Sequence, residues 1–429
     1  MKQNYSEKLN AFIAEEKAAT QLISSVSNLL YKQGVELVLF RKHLLDKNVS
    51  EILRIHQYAS NFVKKPISIF NSTQLAHILT TLNLPPAKID IGRLTYEYDS
   101  EKSHFKTLEK FLEAKIGFMQ NAANNNLQSK DVVLFGFGRI GRLCARELIK
   151  QAGKGQQLRL KGVILRKIDK VSLHKRCALL LKDSVHGAFA SSIEINDNEL
   201  SIVINGQKIQ FFDEQTKNNL RDYDIKDALL IDNTGIYKDY ESLSQHLKID
   251  GISKVLLTAP GSKIPNIVYG VNQDCIDIDK DKIISAASCT TNAIAPILKV
   301  INDNNELNKG HIETIHAYTN DQNLLDNMHN KARRGRSAAI NMVITSTGAG
   351  KAVTKVIPGL ENKLTANAIR VPTPNGSLAI MNLDLKNDTS VKMVNELIRK
   401  AALEGALVNQ IKYSMNTELV SSDIIGSEG

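Results

Sequence analysis

Two side chains in the second half of the chain have the chemistry of an activated thiol. Cys289 lies between a run of small residues, 285–288, and a segment whose apolar spacing predicts an amphipathic helix over 290–301. A thiol at a helix N-terminus loses its proton more easily, because the helix dipole favours the thiolate. His316, on the next predicted strand, is the candidate base. The pattern alone leaves open a buried cysteine and an unrelated histidine.

A glycine-rich turn in the middle of the chain has the spacing of a dinucleotide-binding loop. Gly136, Gly138 and Gly141 follow the apolar run 131–135 and precede a helix-like segment, 142–151. The first glycine permits a tight turn, the second lets the backbone approach a pyrophosphate, and the third lets helix and strand pack closely. Backbone N–H groups and the helix dipole then bind the negative charge. The loop predicts NAD or NADP as the cofactor.

The end of the second predicted strand bears on the choice between the two dinucleotides. The strand over 162–165 is followed by Arg166 and Lys167, and the nearest carboxylate is Asp169. A carboxylate accepts hydrogen bonds from the ribose hydroxyls of NAD, whereas an arginine accommodates the 2′-phosphate of NADP. The sequence leaves this preference open.

The elements around the glycine loop alternate between apolar runs and helical stretches. The apolar runs, at 131–135, 162–165, 228–231 and 254–258, indicate a parallel sheet with crossover helices. Residues 1–120 instead have helical spacing throughout, interrupted by Pro85 and Pro86. The polar segment 121–130 is predicted to be a linker. The chain is therefore expected to be an α/β protein with an N-terminal helical extension.

Composition excludes several other classes of protein. The chain has 429 residues, a formal charge of +10 and a hydrophobic fraction of 42%, with no apolar run long enough for a membrane span. The N-terminus lacks the apolar core of a secretory signal, so we expect a cytoplasmic protein. Four cysteines without a CxxC pair argue against a metal site. The positive charge suits anionic substrates, and no nucleic-acid-binding motif accompanies it.

Seven segments resemble the glyceraldehyde-3-phosphate dehydrogenase family and occur in the family's order. They are GFGRIGR (136–142), DSVHG (183–187), SCTTN (288–292), HAYTNDQ (316–322), RRGRSAA (333–339), STGAGKAV (346–353) and RVPTPNGS (370–377). The resemblance implies a Rossmann-type NAD(P)-binding domain over 131–288 and an α+β catalytic domain with a mixed or antiparallel sheet over 289–429. The extension and linker, 1–130, resemble those of a longer bacterial branch. The family's catalytic domain continues further, so we expect this one to be incomplete at its C-terminus.

The resemblance also implies a reaction and the residues that perform it. Cys289 would attack the aldehyde of a triose phosphate, His316 would act as base, and inorganic phosphate would cleave the resulting thioester. The positions that match the family's substrate-phosphate site are Thr319, Asp321, Arg334 and Arg370. Those that match the site of the attacking phosphate are Ser288, Thr290, Thr347 and Gly348.

For the cofactor, the resemblance adds several positions to the three glycines. Arg139 and Ile140 match residues whose backbone contacts the pyrophosphate, Thr258 matches another cofactor contact, and Asn320 lies in the segment near the nicotinamide. Arg166 is added as the candidate 2′-phosphate contact from its place at the strand end. Segment 318–341 matches a loop that reaches a neighbouring subunit, which implies a homotetramer.

Two alternatives to phosphorylating oxidation of glyceraldehyde 3-phosphate stay open. Erythrose-4-phosphate oxidation would use water in place of phosphate, and a site for the attacking phosphate argues against it. The second alternative is a non-catalytic regulatory protein on the same scaffold. The joint presence of Cys289, His316, Arg334 and Arg370 argues against this alternative.

Overall fold

The computed structural model describes residues 5–120, 129–150, 157–345, 347–427 and 429. Most of the predicted linker, 121–128, and the first residue of the predicted segment 346–353 lie outside the described residues. The chain divides into two compact units, one formed by 1–130 with 150–159 and the other by 131–149 with 160–429. None of the helices in the described ranges combines the length and the apolarity that a bilayer crossing needs.

The N-terminal unit is mostly helical, as predicted, and also contains a small sheet. Its elements are α1 (Tyr5–Gln33), β1 (Val35–Leu39), β2 (Lys42–His43), α2 (Val49–Val63), α3 (Ile69–Thr81), β3 (Ala87–Asp90), α4 (Ile91–Glu101) and α5 (Leu108–Gln120). Strand β1 pairs with β3 in parallel and with β2 antiparallel. The buried stripe of α1, which includes Leu22, Val26 and Leu29, follows the helical spacing of the sequence. The strands were not predicted.

The second unit contains an eight-stranded sheet. Its first elements are β4 (Lys130–Phe135), α6 (Arg139–Lys150), β5 (Leu158–Ile164), α7 (Lys170–Leu181), β6 (Lys182–Asp183), β7 (Gly187–Ala188), β8 (Ile193–Asn196), β9 (Ser201–Ile204), β10 (Gln207–Phe212), β11 (Ala228–Asp232), α8 (Tyr240–Ser244), β12 (Ile252–Leu257) and β13 (Ile283–Ser285). The strand order is β13-β12-β11-β4-β5-β10-β9-β8, and β6 and β7 form a separate two-stranded sheet. This is the predicted Rossmann-type arrangement, extended by an antiparallel β10-β9-β8 meander.

Parallel pairing determines where the ends of the strands lie. Strands β13, β12, β11 and β4 are all parallel neighbours, so their carboxyl ends meet at one edge of the sheet. The Gly136 N–H donates to the Ile164 carbonyl at 2.9 Å, which brings the end of β5 to the same edge. In open α/β sheets ligands bind at this edge.

The remaining elements form a mixed sheet covered by helices on one face. They are α9 (Cys289–Asn305), β14 (Leu307–Ala317), β15 (Val343–Thr345), α10 (Ala349–Val356), β16 (Leu364–Val371), β17 (Leu378–Leu385) and α11 (Val391–Ala401). The order is β15-β16-β14-β17, with β14 and β16 parallel and the other pairs antiparallel. Ile294 and Leu298 of α9 and Val353 of α10 pack with the buried residues of this sheet. The predicted mixed sheet is confirmed.

Candidate active site

The nucleophile segment joins the two large sheets of the second unit. After β13 the chain passes through Ala287, whose φ of +58° is in the left-handed region that non-glycine residues rarely adopt. The Ser285 hydroxyl accepts the Ala287 N–H at 2.9 Å and so supports this conformation. Ser288 then caps α9, its hydroxyl accepting the Thr291 N–H at 2.9 Å. Cys289 is therefore the first residue of the helix, as predicted, and its side chain is exposed.

His316 lies beside the thiol. Its Nε2 is 3.7 Å from Cys289 Sγ, and the Thr290 hydroxyl is 4.0 Å from the same sulfur. The hydrogen bond with His316 is the main influence on the thiol and, with help from Thr290, holds the pKa of Cys289 below that of an ordinary cysteine. The two side chains that the sequence paired as nucleophile and base are thus in contact.

Arg370 contacts the other nitrogen of the same ring. Parallel pairing of β14 with β16 places Arg370 directly opposite His316. One guanidinium nitrogen, Nη1, lies 2.6 Å from His316 Nδ1 and donates to the Ala317 carbonyl at 2.7 Å. The Cys289, His316 and Arg370 side chains therefore form a continuous row from sulfur to guanidinium.

A second arginine lies near the first. Arg334 pairs with Asp321 and donates from Nη2 to the Thr345 hydroxyl at 2.9 Å. Burial and, next, the positive charge of Arg334 lower the pKa of Arg370. Two neighbouring guanidiniums destabilise each other, and an anion that binds both relieves this repulsion. The Asp321 carboxylate pairs with Arg334 and so orients its guanidinium, and a place for Asp321 around the substrate phosphate stays a prediction.

Fewer contacts connect the other residues predicted around the two phosphates to the row formed by Cys289, His316 and Arg370. The Ser288 hydroxyl is used in the helix cap described above, and Thr290 borders the sulfur. Thr319 is exposed just after β14, and Gly348 precedes α10 with open space where a side chain would project. The phosphate-binding roles of these residues, and of Thr347, stay predictions.

The glycine loop at the end of β4 has the shape that a dinucleotide requires. Gly136 has a φ of +90°, and a Cβ on Gly141 would collide with the Gly136 carbonyl oxygen. A Cβ on Gly138, by contrast, would meet nothing within 4 Å, so space is open above the loop. Arg139 begins α6, and the exposed Ile140 follows it. A tight turn, an open face and a helix N-terminus together fit a pyrophosphate.

A buried acid–base pair beneath this loop was missed by the sequence analysis. Asp232, fully buried at the end of β11, accepts from the Thr234 N–H at 2.8 Å and from its hydroxyl at 2.7 Å. Its other oxygen lies 2.9 Å from His246 Nε2, and His246 is also buried. The Thr234 methyl group is 3.0 Å from where a Cβ on Gly136 would lie. The pair thus fixes the turn that supports the glycine loop. The feature of the sequence that could have pointed to this pair is an aspartate at the end of an apolar run.

Thr258 lies beside the turn that Asp232 stabilises. Its hydroxyl donates to the Asp232 carbonyl at 2.9 Å and lies 3.2 Å from the Asn233 side-chain oxygen, so it borders the supporting turn. Asn320 is exposed in the turn after β14. Contact between the cofactor and these two residues stays a prediction.

The end of β5 offers a cation for the ribose. Arg166 is exposed just beyond the strand. Asp169, the nearest carboxylate, caps α7 by accepting the Ser172 N–H at 2.7 Å. Asp169 is therefore engaged in the helix cap, whereas Arg166 is exposed to solvent. Contact between Arg166 and the ribose stays a prediction.

A parallel sheet with a glycine loop and a paired thiol at one edge is typical of nicotinamide-dependent dehydrogenases that use a cysteine. The family profile for the NAD binding domain of glyceraldehyde 3-phosphate dehydrogenase matches residues 130–240, and the profile for its C-terminal domain matches residues 288–429. The chain belongs to the glyceraldehyde-3-phosphate dehydrogenase family. The predicted NAD(P) cofactor agrees with the NAD-binding profile.

Individual relatives support the same assignment. A "glyceraldehyde-3-phosphate dehydrogenase-like protein" of Pseudomonas aeruginosa (strain UCBPP-PA14) is 42% identical over 412 residues, which cover 95% of this chain and 89% of the relative. The glyceraldehyde-3-phosphate dehydrogenase of Zymomonas mobilis is 38% identical, covering 68% of this chain and 84% of its own. That of Geobacillus stearothermophilus is 39% identical with the same coverage. The Pseudomonas relative therefore shares most of the extension as well.

Proposed function

We propose that this protein oxidises glyceraldehyde 3-phosphate with inorganic phosphate to 1,3-bisphosphoglycerate. The observation that carries the proposal is the row Cys289–His316–Arg370, with Arg334 nearby, at the ligand-binding edge of a dinucleotide fold. An activated thiol suits attack on an aldehyde, and two guanidiniums suit phosphate. The names of the relatives point to the same substrate.

In this proposal the thiol forms the covalent bond. The Cys289 thiol gives its proton to His316, the thiolate attacks the aldehyde carbon, and His316 returns the proton to the former carbonyl oxygen, giving a hemithioacetal on Sγ. His316, 3.7 Å away through Nε2, takes the proton of the hemithioacetal hydroxyl as the carbon is oxidised. When bound, NAD(P) supplies the hydride acceptor for this oxidation. The product on Cys289 is a thioester.

The two guanidiniums position the phosphorylated substrate. Arg370 and Arg334 bind its phosphate, and Asp321 holds Arg334 in place. Ser288, Thr290, Thr347 and Gly348 are proposed to bind the inorganic phosphate that attacks the thioester. Expulsion of the Cys289 thiolate releases the acyl phosphate and restores the nucleophile.

The cofactor would bind at the glycine loop and at the strand ends around it. The backbone at Gly138, Arg139 and Ile140 would hold the pyrophosphate, with Thr258 and Asn320 nearer the nicotinamide. Arg166 would meet the ribose, and NAD and NADP are both compatible with it. We also propose the domain division at residue 288 and a homotetramer. Exposed apolar side chains in segment 318–341, including Leu325 and Met328, support a covered surface there.

Absorbance of reduced nicotinamide tests the proposal. Glyceraldehyde 3-phosphate should be oxidised through many turnovers only when inorganic phosphate is present. Cys289→Ser should abolish this, whereas Cys275→Ser, which removes another exposed thiol, should leave it intact. Equal rates with and without phosphate, together with faster oxidation of erythrose 4-phosphate, would replace the proposed reaction with the water-dependent one. No oxidation of either sugar would favour a non-catalytic protein.

A further inference from the structure

Helix α1 is longer than the helix that it packs against. Every residue from 5 to 14 is exposed, and the buried positions of α1 begin at Ala18. The Thr73 hydroxyl of α3 donates to the Ala18 carbonyl at 3.0 Å. The Gln33 side chain donates to the Thr80 carbonyl at 3.4 Å, so the two helices run in the same direction. Since α3 begins four residues before Thr73, α1 extends about nine residues, or ~14 Å, past the start of α3.

The N-terminal segment of α1, residues 5–16, carries an exposed apolar seam. Tyr5, Leu9 and Phe12 are separated by four and then three residues, which is the spacing of a coiled-coil seam, and all three are exposed. Two further steps of the same spacing reach Ala19, which is buried within the N-terminal unit. One continuous seam is therefore covered along its later part and exposed along its first turns. Such a seam is typical of a surface that a partner covers.

The charges beside the seam match those of a second copy of the same segment. Lys8 and Glu15 lie on one flank of the seam, seven residues apart. An antiparallel pair of helices can place Leu9 of one copy opposite Phe12 of the other. Lys8 of each copy then lies beside Glu15 of the other, which gives two contacts between opposite charges. A two-fold axis relates the copies in such a pair, as it does in most homo-oligomers.

Glu16 indicates the direction of the pairing. It occupies the seam position that follows Phe12. In a parallel pair the two Glu16 carboxylates would face each other within the seam, and like charges at that distance repel. In the antiparallel pair each Glu16 instead faces Tyr5 of the other copy, whose hydroxyl is able to donate to the carboxylate. The charges of the segment therefore favour the antiparallel arrangement.

We propose that residues 5–16 of α1 form a contact between two copies of this chain, as a pair of antiparallel helices. This contact is distinct from the surface at 318–341, which belongs to the second unit. The seam is about three turns long, so the contact is smaller than a typical stable interface and strengthens a larger one. Covalent capture therefore tests it better than a measurement of mass alone.

A photoreactive residue in the seam of the full chain tests the contact. With Phe12→p-benzoylphenylalanine, ultraviolet light should give a covalent dimer on a denaturing gel, and mass spectrometry should place the link at or near Leu9 of the second chain. The same replacement at Phe118, an exposed phenylalanine of α5, is the control and should not give this link. A link within one chain, a link to another segment, or no link would overturn the inference. A link centred on residue 12 of the second chain would contradict the antiparallel arrangement.

Exchange of the flanking charges is the second test. Lys8→Glu places two carboxylates side by side in the pair and should lower the yield of the link about twofold or more, and Glu15→Lys should do the same. The double variant reverses both charges and should restore the yield. Lys17→Glu, an exposed charge reversal on the same helix but outside the seam, is the control. An unchanged yield in Lys8→Glu, or no recovery in the double variant, would show that these charges do not face each other.

Discussion

Cys289 Sγ lies 3.7 Å from His316 Nε2, although α9 and nearly all of β14 separate the two residues along the chain. The contact exists because α9 starts at the thiol and packs on the sheet in which β14, an inner strand, ends one residue beyond the histidine. A thiol at a helix N-terminus with an imidazole partner has two separate causes of increased acidity.

Cys289 should be the thiol that iodoacetamide labels first at neutral pH. Its pKa is lowered, so its thiolate is present at pH values where ordinary thiols are protonated, and labelling should slow only as the pH falls through that lowered pKa. Burial raises the pKa of Cys177 to about 11 and also raises that of Cys144. Cys275 is exposed and so controls for access. Peptide mass spectrometry over time checks the order; equal labelling of Cys275 and Cys289 would mean that exposure alone decides.

Replacing His316 should slow that labelling. His316→Asn removes the hydrogen bond that lowers the thiol pKa, and the rate at neutral pH should fall about tenfold for each unit by which the pKa rises. His311→Asn is the matched control, because His311 lies on the same strand and contacts Thr365. Labelling that is as fast in His316→Asn as in His311→Asn would show that the imidazole does not stabilise the thiolate.

The buried Asp232–His246 pair should control cofactor affinity without affecting the thiol. In His246→Asn the buried carboxylate loses a partner and the turn at Thr234 loosens. Loss of such a buried hydrogen bond costs ~1–3 kcal/mol, and because that cost falls on the turn that supports the cofactor loop, the Kd for NAD should rise about fivefold or more. Calorimetric titration with NAD measures this, and Cys289 labelling should keep its rate.

The control for that pair is a similar contact on the surface. His174 lies 2.9 Å from Asp197, and both side chains are largely exposed. Exposed pairs contribute little, so His174→Asn should leave the Kd unchanged. Equal Kd values for the His174 and His246 variants would show that the buried pair does not support the loop.

Arg166 should influence the choice between NAD and NADP. Arg166→Asp replaces a cation at the end of β5 with a carboxylate, which should bind ribose hydroxyls and repel a 2′-phosphate. The ratio of kcat/KM for NADP to that for NAD should therefore fall. Lys175→Asp, an exposed charge reversal on α7, is the control. An unchanged ratio in Arg166→Asp would mean that the side chain does not meet the 2′ position.

Short-range patterns predicted much of the second unit. The apolar run before Gly136 gave β4, and the small residues before Cys289 placed the start of α9, because strand, loop and cap signals lie within a few residues of each other. Helical spacing likewise predicted most helices of the first 120 residues. The five-residue strand β1, between α1 and a turn, was not predicted, because its residues were assigned to that helical pattern.

Contacts that depend on strand order could not be found in this way. Arg370 meets His316 only because β16 lies beside β14 with those residues in register, and nothing local to either residue specifies that pairing. The Asp232–His246 contact similarly requires the end of β11 and the segment after α8 to fold together. Sequence patterns pointed to the proposed reacting groups, whereas the second partners of those groups required the structure.

The most direct test of the account is a single turnover without inorganic phosphate. Glyceraldehyde 3-phosphate and NAD are mixed with the protein, reduced nicotinamide is measured by absorbance, and the quenched protein is analysed by mass spectrometry. We expect about one equivalent of reduced cofactor per chain and an acyl group on the peptide that contains Cys289, released when phosphate is added. Continued turnover without phosphate, or reduced cofactor formed with no adduct on Cys289, would contradict it.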